Sequence, residues 1–271
     1  MYEHLGQGAI DYQPCRYGQS RILFRGPRVD LDAAYCAVLG GTETYGKFVQ
    51  LPFPALVGEQ TGRSVVNLGC VNAGLDVFMR DPTVLDICGG ADLTIVQAMG
   101  AQNMSNRYYA VHPRRNDRFL RASAALKAIY PDVDFADFSF TRHMLQGLRR
   151  HCDDRFHLVA QELATAWVAR MRSLAEMLGE RSVLLVLELP EWPDGGLGPE
   201  PLFVTDNMIA QVEHLFAAVV RVTPSDDALA QGTAGMVFRP MEEAAAQLLP
   251  GPAVHHEVAQ ALAPVMQGLL Q

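Results

Sequence analysis

Five short runs of Val, Ile and Leu, each stopped by a turn rich in Gly, Pro or Thr, limit what this chain can fold into. They lie at residues 35–39, 64–68, 93–99, 182–187 and 217–222. Within each run the apolar residues are continuous rather than alternating. A strand of that kind is covered on both faces, which is the condition of a parallel strand with helices packed above and below. Helical patterns fall between the runs, at residues 118–129, 141–150, 156–178, 206–216 and 255–269. Strands alternating with helices predict a three-layer αβα, doubly wound parallel sheet of about five strands. The stretch at 104–180 is long for one crossover and reads as a helical insertion between strands three and four. At 271 residues the chain suits a single α/β domain.

Composition narrows the function classes. The net charge is -8, which disfavours general binding of nucleic acid or of an anionic membrane surface. No segment reaches the ~20 apolar residues of a membrane span. Residues 1–26 carry Glu3, His4, Asp11 and Arg16 without an apolar run, so no signal peptide is expected and the cytoplasm is the expected compartment. Five scattered cysteines without a CxxC pair suggest neither a disulfide framework nor a zinc site, and no metal or cofactor is expected. A small molecule is the expected partner. The first thirty residues are polar and irregular, consistent with a lid, an edge strand or an arm in a homo-oligomer.

In an open α/β sheet, ligands bind beyond the carboxyl ends of the strands, so the loops there are the candidates for chemistry. The first is GGTETYG, Gly40 to Gly46, a tight strand-to-helix turn whose backbone N–H groups can face a ligand. The second is NLGCVNAG, Asn67 to Gly74, with Asn72 as a neutral donor. The third is MGAQNMSNR, Met99 to Arg107, where Gln102, Asn103, Ser105 and Asn106 crowd one strand end. Near the C-terminus, GPAVHHEVAQALAP places His255 and His256 at the start of a helix.

These blocks, in this order, resemble those of the SGNH (GDSL-type) hydrolases. Gly40, Thr42, Thr44 and Gly46 match the GDSLTxG block, with Thr42 at the nucleophilic Ser and Gly41 at the Asp. Gly74, or alternatively Gly69, matches the glycine whose N–H helps hold the oxyanion. Gln102 falls on the Asn of the GxND block, and Asn103 on its Asp. His255 or His256 matches the family's general base, while Pro252 and Ala253 stand where its orienting Asp belongs. The resemblance implies a nucleophilic Thr42, oxyanion donors from Gly74, Asn72, Gln102 or Asn103, and a terminal histidine base.

Directly after the third loop, residues 106–123 carry Arg107, Arg114, Arg115, Arg118 and Arg121 against a single Asp117, a net of +4 in an acidic chain. Guanidinium forks suit phosphate, sulfate or carboxylate, so Arg107, Arg114 and Arg115 read as the wall of a pocket for an anionic substrate. His112 adds a titrating group, and FSFTRHM, Phe138 to Met144, offers another Arg-His pair. The Gly- and Pro-rich stretch at 192–201 reads as a lid anchored by Trp192. Three functions fit: an SGNH-like hydrolase or acyltransferase, a transferase for a sulfated or phosphorylated donor, and a ligand- or glycan-binding domain without turnover.

Overall fold

The computed structural model describes residues 9–191 and 196–271. Trp192 and its neighbours in the expected lid lie outside the described residues, as do residues 1–8. From the N-terminal side, β1 (Tyr35–Gly40), α1 (Thr42–Tyr45), α2 (Phe53–Thr61) and β2 (Ser64–Gly69) come first. Then α3 (Leu75–Met79) and α4 (Pro82–Gly90) lead to β3 (Leu93–Gln97). A hairpin of β4 (Tyr109–His112) and β5 (Arg115–Ala122) follows, then α5 (Ala124–Ile129), α6 (Thr141–His151) and α7 (Asp153–Leu178). The chain closes with β6 (Ser182–Leu187), α8 (Asp206–Ala210), β7 (Ala218–Val222), α9 (Asp226–Ala230), α10 (Glu243–Ala246) and α11 (Pro252–Leu269).

Five strands form one parallel sheet in the order β2-β1-β3-β6-β7. They fall on the five apolar runs. Successive residues of each strand feed opposite faces of the sheet, so two cores form. Ala37 and Leu39 of β1 join α3, α4 and α7 on one side, while Cys36 and Val38 join α2 and α11 on the other. The chain runs outward from β1 to β2 and then crosses back to β3. The loops leaving β1 and β3 therefore diverge, and a crevice opens at their carboxyl ends.

The segment between β3 and β6 is not wholly helical. Residues 118–123, expected to begin a helix, belong instead to β5 and the turn after it. Asn116, Phe119 and Ala122 are its buried positions, and β5 pairs antiparallel with β4. The Ala- and Leu-rich helix begins only at Ala124, where the Ser123 side chain accepts the Leu126 N–H and caps it. The helix expected at 206–216 stops at Ala210, and only a 3-10 turn, Glu213–Leu215, follows. The terminal helix starts earlier than expected, at Pro252, where proline's missing N–H costs nothing.

The described part of the N-terminal segment is neither a sheet strand nor a detached arm. Tyr17, Ile22 and Phe24 join the core under α4, and Cys15 bridges Phe24. Arg25 is buried and donates to the carbonyls of Tyr45, Gly46 and Gln50, so the segment straps the loop that follows α1. Among the described residues, no helix is long and apolar enough to cross a membrane.

Candidate functional site

A cleft of about 440 Å³ opens at the carboxyl ends of β1, β3 and β6. Its size lies within the range typical of small-molecule sites. The first loop enters it through a crossing that only glycine allows. A Cβ on Gly40 would strike the Thr44 hydroxyl and the Gln97 carboxamide, which close over the end of β1. Gln97, the last residue of β3, clamps the turn. Its Oε1 accepts the Gly41 N–H at 3.1 Å and the Thr44 hydroxyl at 2.5 Å, and its Nε2 donates to Glu43 at 2.9 Å. With the turn so fixed, Thr42 becomes the first residue of α1 and lines the cleft.

Thr42 and Asn72 are tied twice. The Asn72 N–H donates to Thr42 Oγ1 at 2.9 Å, and the Thr42 hydroxyl donates to Asn72 Oδ1 at 3.3 Å. The Asn72 amide is oriented from its other end, where Nδ2 donates to Asp117 Oδ2 at 3.1 Å. The backbone at Asn72 is left-handed, with φ of 56°, a conformation Asn adopts more readily than most residues. The order is therefore hydroxyl, amide, carboxylate, all at the cleft.

The remaining expected residues divide into those the cleft uses and those it does not. Gly74 is not a free oxyanion donor. Its N–H is taken by the buried Asn116 side chain at 2.9 Å, and a Cβ there would collide with the Asn103 carbonyl. The alternative, Gly69, gives its N–H to Asn67 at 2.8 Å. Asn103 lines the cleft with its amide partly engaged: Nδ2 donates one hydrogen to the Asn72 carbonyl at 3.2 Å and Oδ1 accepts the Thr141 hydroxyl at 2.8 Å. Gln102 differs. It is only 8% exposed, it lines the cleft, and its Oε1 has no hydrogen-bond partner among the described residues. A buried polar atom left so costs about 1–3 kcal/mol unless something donates to it.

The histidine pair sits elsewhere. His255 is 2% exposed, stacks on Phe53, and accepts the Phe53 N–H through Nδ1 at 3.1 Å. Burial, with smaller contributions from the charges of Arg25 and His256, lowers its pKa to about 3. His256 is exposed on α11, and neither histidine is among the described residues lining the cleft. Of the arginines, Arg107 pairs with Glu162 at 3.2 Å and lies over Tyr108. Arg114 and Arg115 line a separate groove.

Two cleft residues, Glu43 and Asp117, were not singled out by sequence reasoning, and two more, Arg142 and His143, only as an Arg-His pair. Glu43 lies inside the GGTETYG block; burial raises its pKa, against the lowering effect of the Gln97 hydrogen bond. Asp117 showed only as the lone acid of the arginine run. His143, the histidine of FSFTRHM, reaches the cleft from α6, and Arg142 beside it pairs with Glu200. The Arg-His pair was the available signal, but nothing in the spacing ties α6 to the end of β1.

The segment between β3 and β6 also fixes the third loop. Trp167 Nε1 on α7 donates to the Met99 carbonyl at 2.7 Å, the Tyr109 hydroxyl donates to the Gln102 carbonyl at 2.7 Å, and Arg170 reaches the Ser105 carbonyl at 3.2 Å. Arg170 is held in turn by the buried Asp76 at 2.8 Å.

The sequence matches a family model described as a domain of unknown function, DUF6473, over residues 1–270. The chain belongs to this family. Comparison of this DUF6473 sequence with curated proteins gives no match. Among solved structures it is similar to a salicylyl-acyltransferase from a tetracycline biosynthetic pathway, at 12% identity and a TM-score of 0.34. The likeness covers 89% of this chain but only 57% of that one, and so distant a likeness carries no argument about chemistry.

Proposed function

We propose that the cleft is an SGNH-like site that hydrolyses or transfers an acyl group, with Thr42 as the nucleophile. The observation that supports this most is the Thr42 hydroxyl itself. It lines the cleft at the end of β1, at the position the resemblance gives the nucleophile, with the Asn72 N–H donated to its oxygen. In this reading Thr42 Oγ attacks the acyl carbonyl and an ester to Thr42 forms. The hydroxyl proton passes to His143 and from there to the departing alcohol. Water or a second alcohol then attacks the acyl-threonine, and its proton takes the reverse path to Thr42. His143 replaces the terminal histidines as base because, among the described residues, it is the imidazole that lines the cleft. In this reading the Gln102 Nε2 amide is the oxyanion donor, a role worth ~3 kcal/mol in comparable sites, while its Oε1 can only accept.

The test is hydrolysis of a short-chain p-nitrophenyl ester series. Thr42→Ala is expected to lower kcat/KM by about three orders of magnitude or more with an unchanged melting temperature. His143→Ala should lower it by ~10²–10⁴, the usual contribution of a general base. Full activity in Thr42→Ala would remove covalent chemistry at this hydroxyl. A second reading, ligand binding without turnover, is favoured by the engagement of His255 with Phe53, which leaves the terminal histidine unable to act as base. It predicts no activity above background in any of the three proteins.

A further inference from the structure

A second groove, of about 780 Å³, lies next to the cleft. Consecutive residues line the two spaces in turn. Asp117 faces the cleft and Arg118 the groove, while Ser139 lines the groove and Phe140 the cleft. The wall between them is the pairing of β5 with residues 139–140, in which the Phe119 N–H donates to the Ser139 carbonyl at 3.1 Å. The Arg118 guanidinium lies over the Phe140 ring at 4.2 Å and completes it.

Four arginines line this groove, Arg21, Arg114, Arg115 and Arg118, and no Asp or Glu is among the described residues lining it. None of the four has a salt bridge to a carboxylate among the described residues. In a chain with 30 acidic residues and a net charge of -8, four arginines in one lining make this groove locally positive. Of the sixteen arginines elsewhere in the chain, eight pair with an acid among the described residues; what sets the groove apart is that four arginines share one lining. His112 also lines the groove, and its Nδ1 accepts the N–H groups of Arg114 and Arg115 at 3.2 Å each. A neutral ring so engaged carries its hydrogen on Nε2, as a further donor. Cys70 at the groove does not offset the charge, since burial and the charge of Asp117 push its thiol up to about 11.

We infer that this groove binds a phosphate-bearing small molecule, with Arg114 and Arg115 as its principal anion contacts. Phosphate is the class that several planar guanidinium forks and one imidazole N–H suit best, because each fork can hold two oxygens at once. Phe119 and Phe138 supply the apolar walls on which the rest of such a ligand can rest. The groove's place across the Arg118–Phe140 wall makes it the anchor for a phosphorylated acyl donor whose reacting end enters the cleft. That link rests on the acyl-transfer reading; phosphate binding does not.

The experiment is calorimetric titration of the full chain with inorganic pyrophosphate and with ADP at low ionic strength. Wild type, the Arg114→Ala/Arg115→Ala double variant and Thr42→Ala are compared. The arginines are exposed, so the double variant is expected to melt as wild type does. Saturable binding of both probes to one site is expected, weakened at least about tenfold in the double variant and unchanged in Thr42→Ala. Binding without esterase activity would leave the groove standing and sink only its link to acyl transfer. No saturable binding to wild type, or equal binding by the double variant, would overturn the inference. So would binding of polyglutamate without binding of pyrophosphate, which would mark the groove as a contact for an acidic protein.

Discussion

His255 spends its imidazole on a backbone amide, and the consequence is a dependence of stability on pH. Its folded pKa of about 3 lies below the ordinary 6.5, so on acidification the unfolded chain takes up a proton that the folded chain refuses. The contribution is fully present above the unfolded value and is lost as pH falls from about 6.5 toward 3. At pH 5 the loss is about 2 kcal/mol. His255→Asn keeps an acceptor within reach of the Phe53 N–H but does not titrate. Thermal melts between pH 7 and 5 should therefore fall less steeply for the variant than for wild type; equal slopes would refute this assignment. Arg25 makes the companion case, since its buried guanidinium serves the carbonyls of Tyr45, Gly46 and Gln50. Arg25→Ala orphans those acceptors and should cost at least about 2 kcal/mol in a urea melt. An unchanged midpoint would mean that the strap contributes nothing to the loop after α1.

At the scale of elements, the segment between β3 and β6 shapes the cleft as much as the sheet does. Trp167 of α7 holds the Met99 carbonyl, Tyr109 of β4 holds the Gln102 carbonyl, and Thr141 of α6 holds Asn103. Asn116 of β5 takes the Gly74 N–H, which converts the expected oxyanion donor into a brace between the second loop and the hairpin. Trp167→Phe preserves most of the packing but removes the N–H to Met99. It should cost about 1–3 kcal/mol by leaving a buried carbonyl unpaired. If α7 positions the third loop, ester turnover should fall along with the melt; a destabilised variant with full kcat would show that Trp167 serves packing alone. The hairpin was hidden in the sequence because its buried positions, Asn116, Phe119 and Ala122, are spaced by three along a run whose composition suits a helix. Pairing with β4, a contact between segments, overrode that local preference.

At the scale of the whole molecule, the sequence exposed what is periodic and local. The five continuous apolar runs placed all five parallel strands, because burial on both faces leaves no room for polar alternation. The strand-end loops followed from the sheet, and Thr42, Asn72, Gln102 and Asn103 do meet at one cleft. Asp117 and His143 reach the same cleft from parts of the chain tens of residues away, and no spacing rule links them to β1. The histidine pair misled for a related reason. A histidine at the start of a terminal helix looks alike whether the helix turns it toward the strand ends or, as for His255, into the layer between α2 and α11. Acid should act on the whole chain as well as on His255, since the pI is about 5.4 and charge repulsion between molecules vanishes near it. Light scattering should show least solubility near that pH, and a minimum well above pH 7 would contradict the charge balance.

Covalent labelling tests most directly whether Thr42 is the nucleophile of this cleft. The protein would be treated with a fluorophosphonate, digested, and mapped by mass spectrometry. A single adduct on the peptide bearing Thr42, absent from Thr42→Ala and slower to form in His143→Ala, is the predicted result. No adduct on wild type, or one that persists in Thr42→Ala, would contradict it.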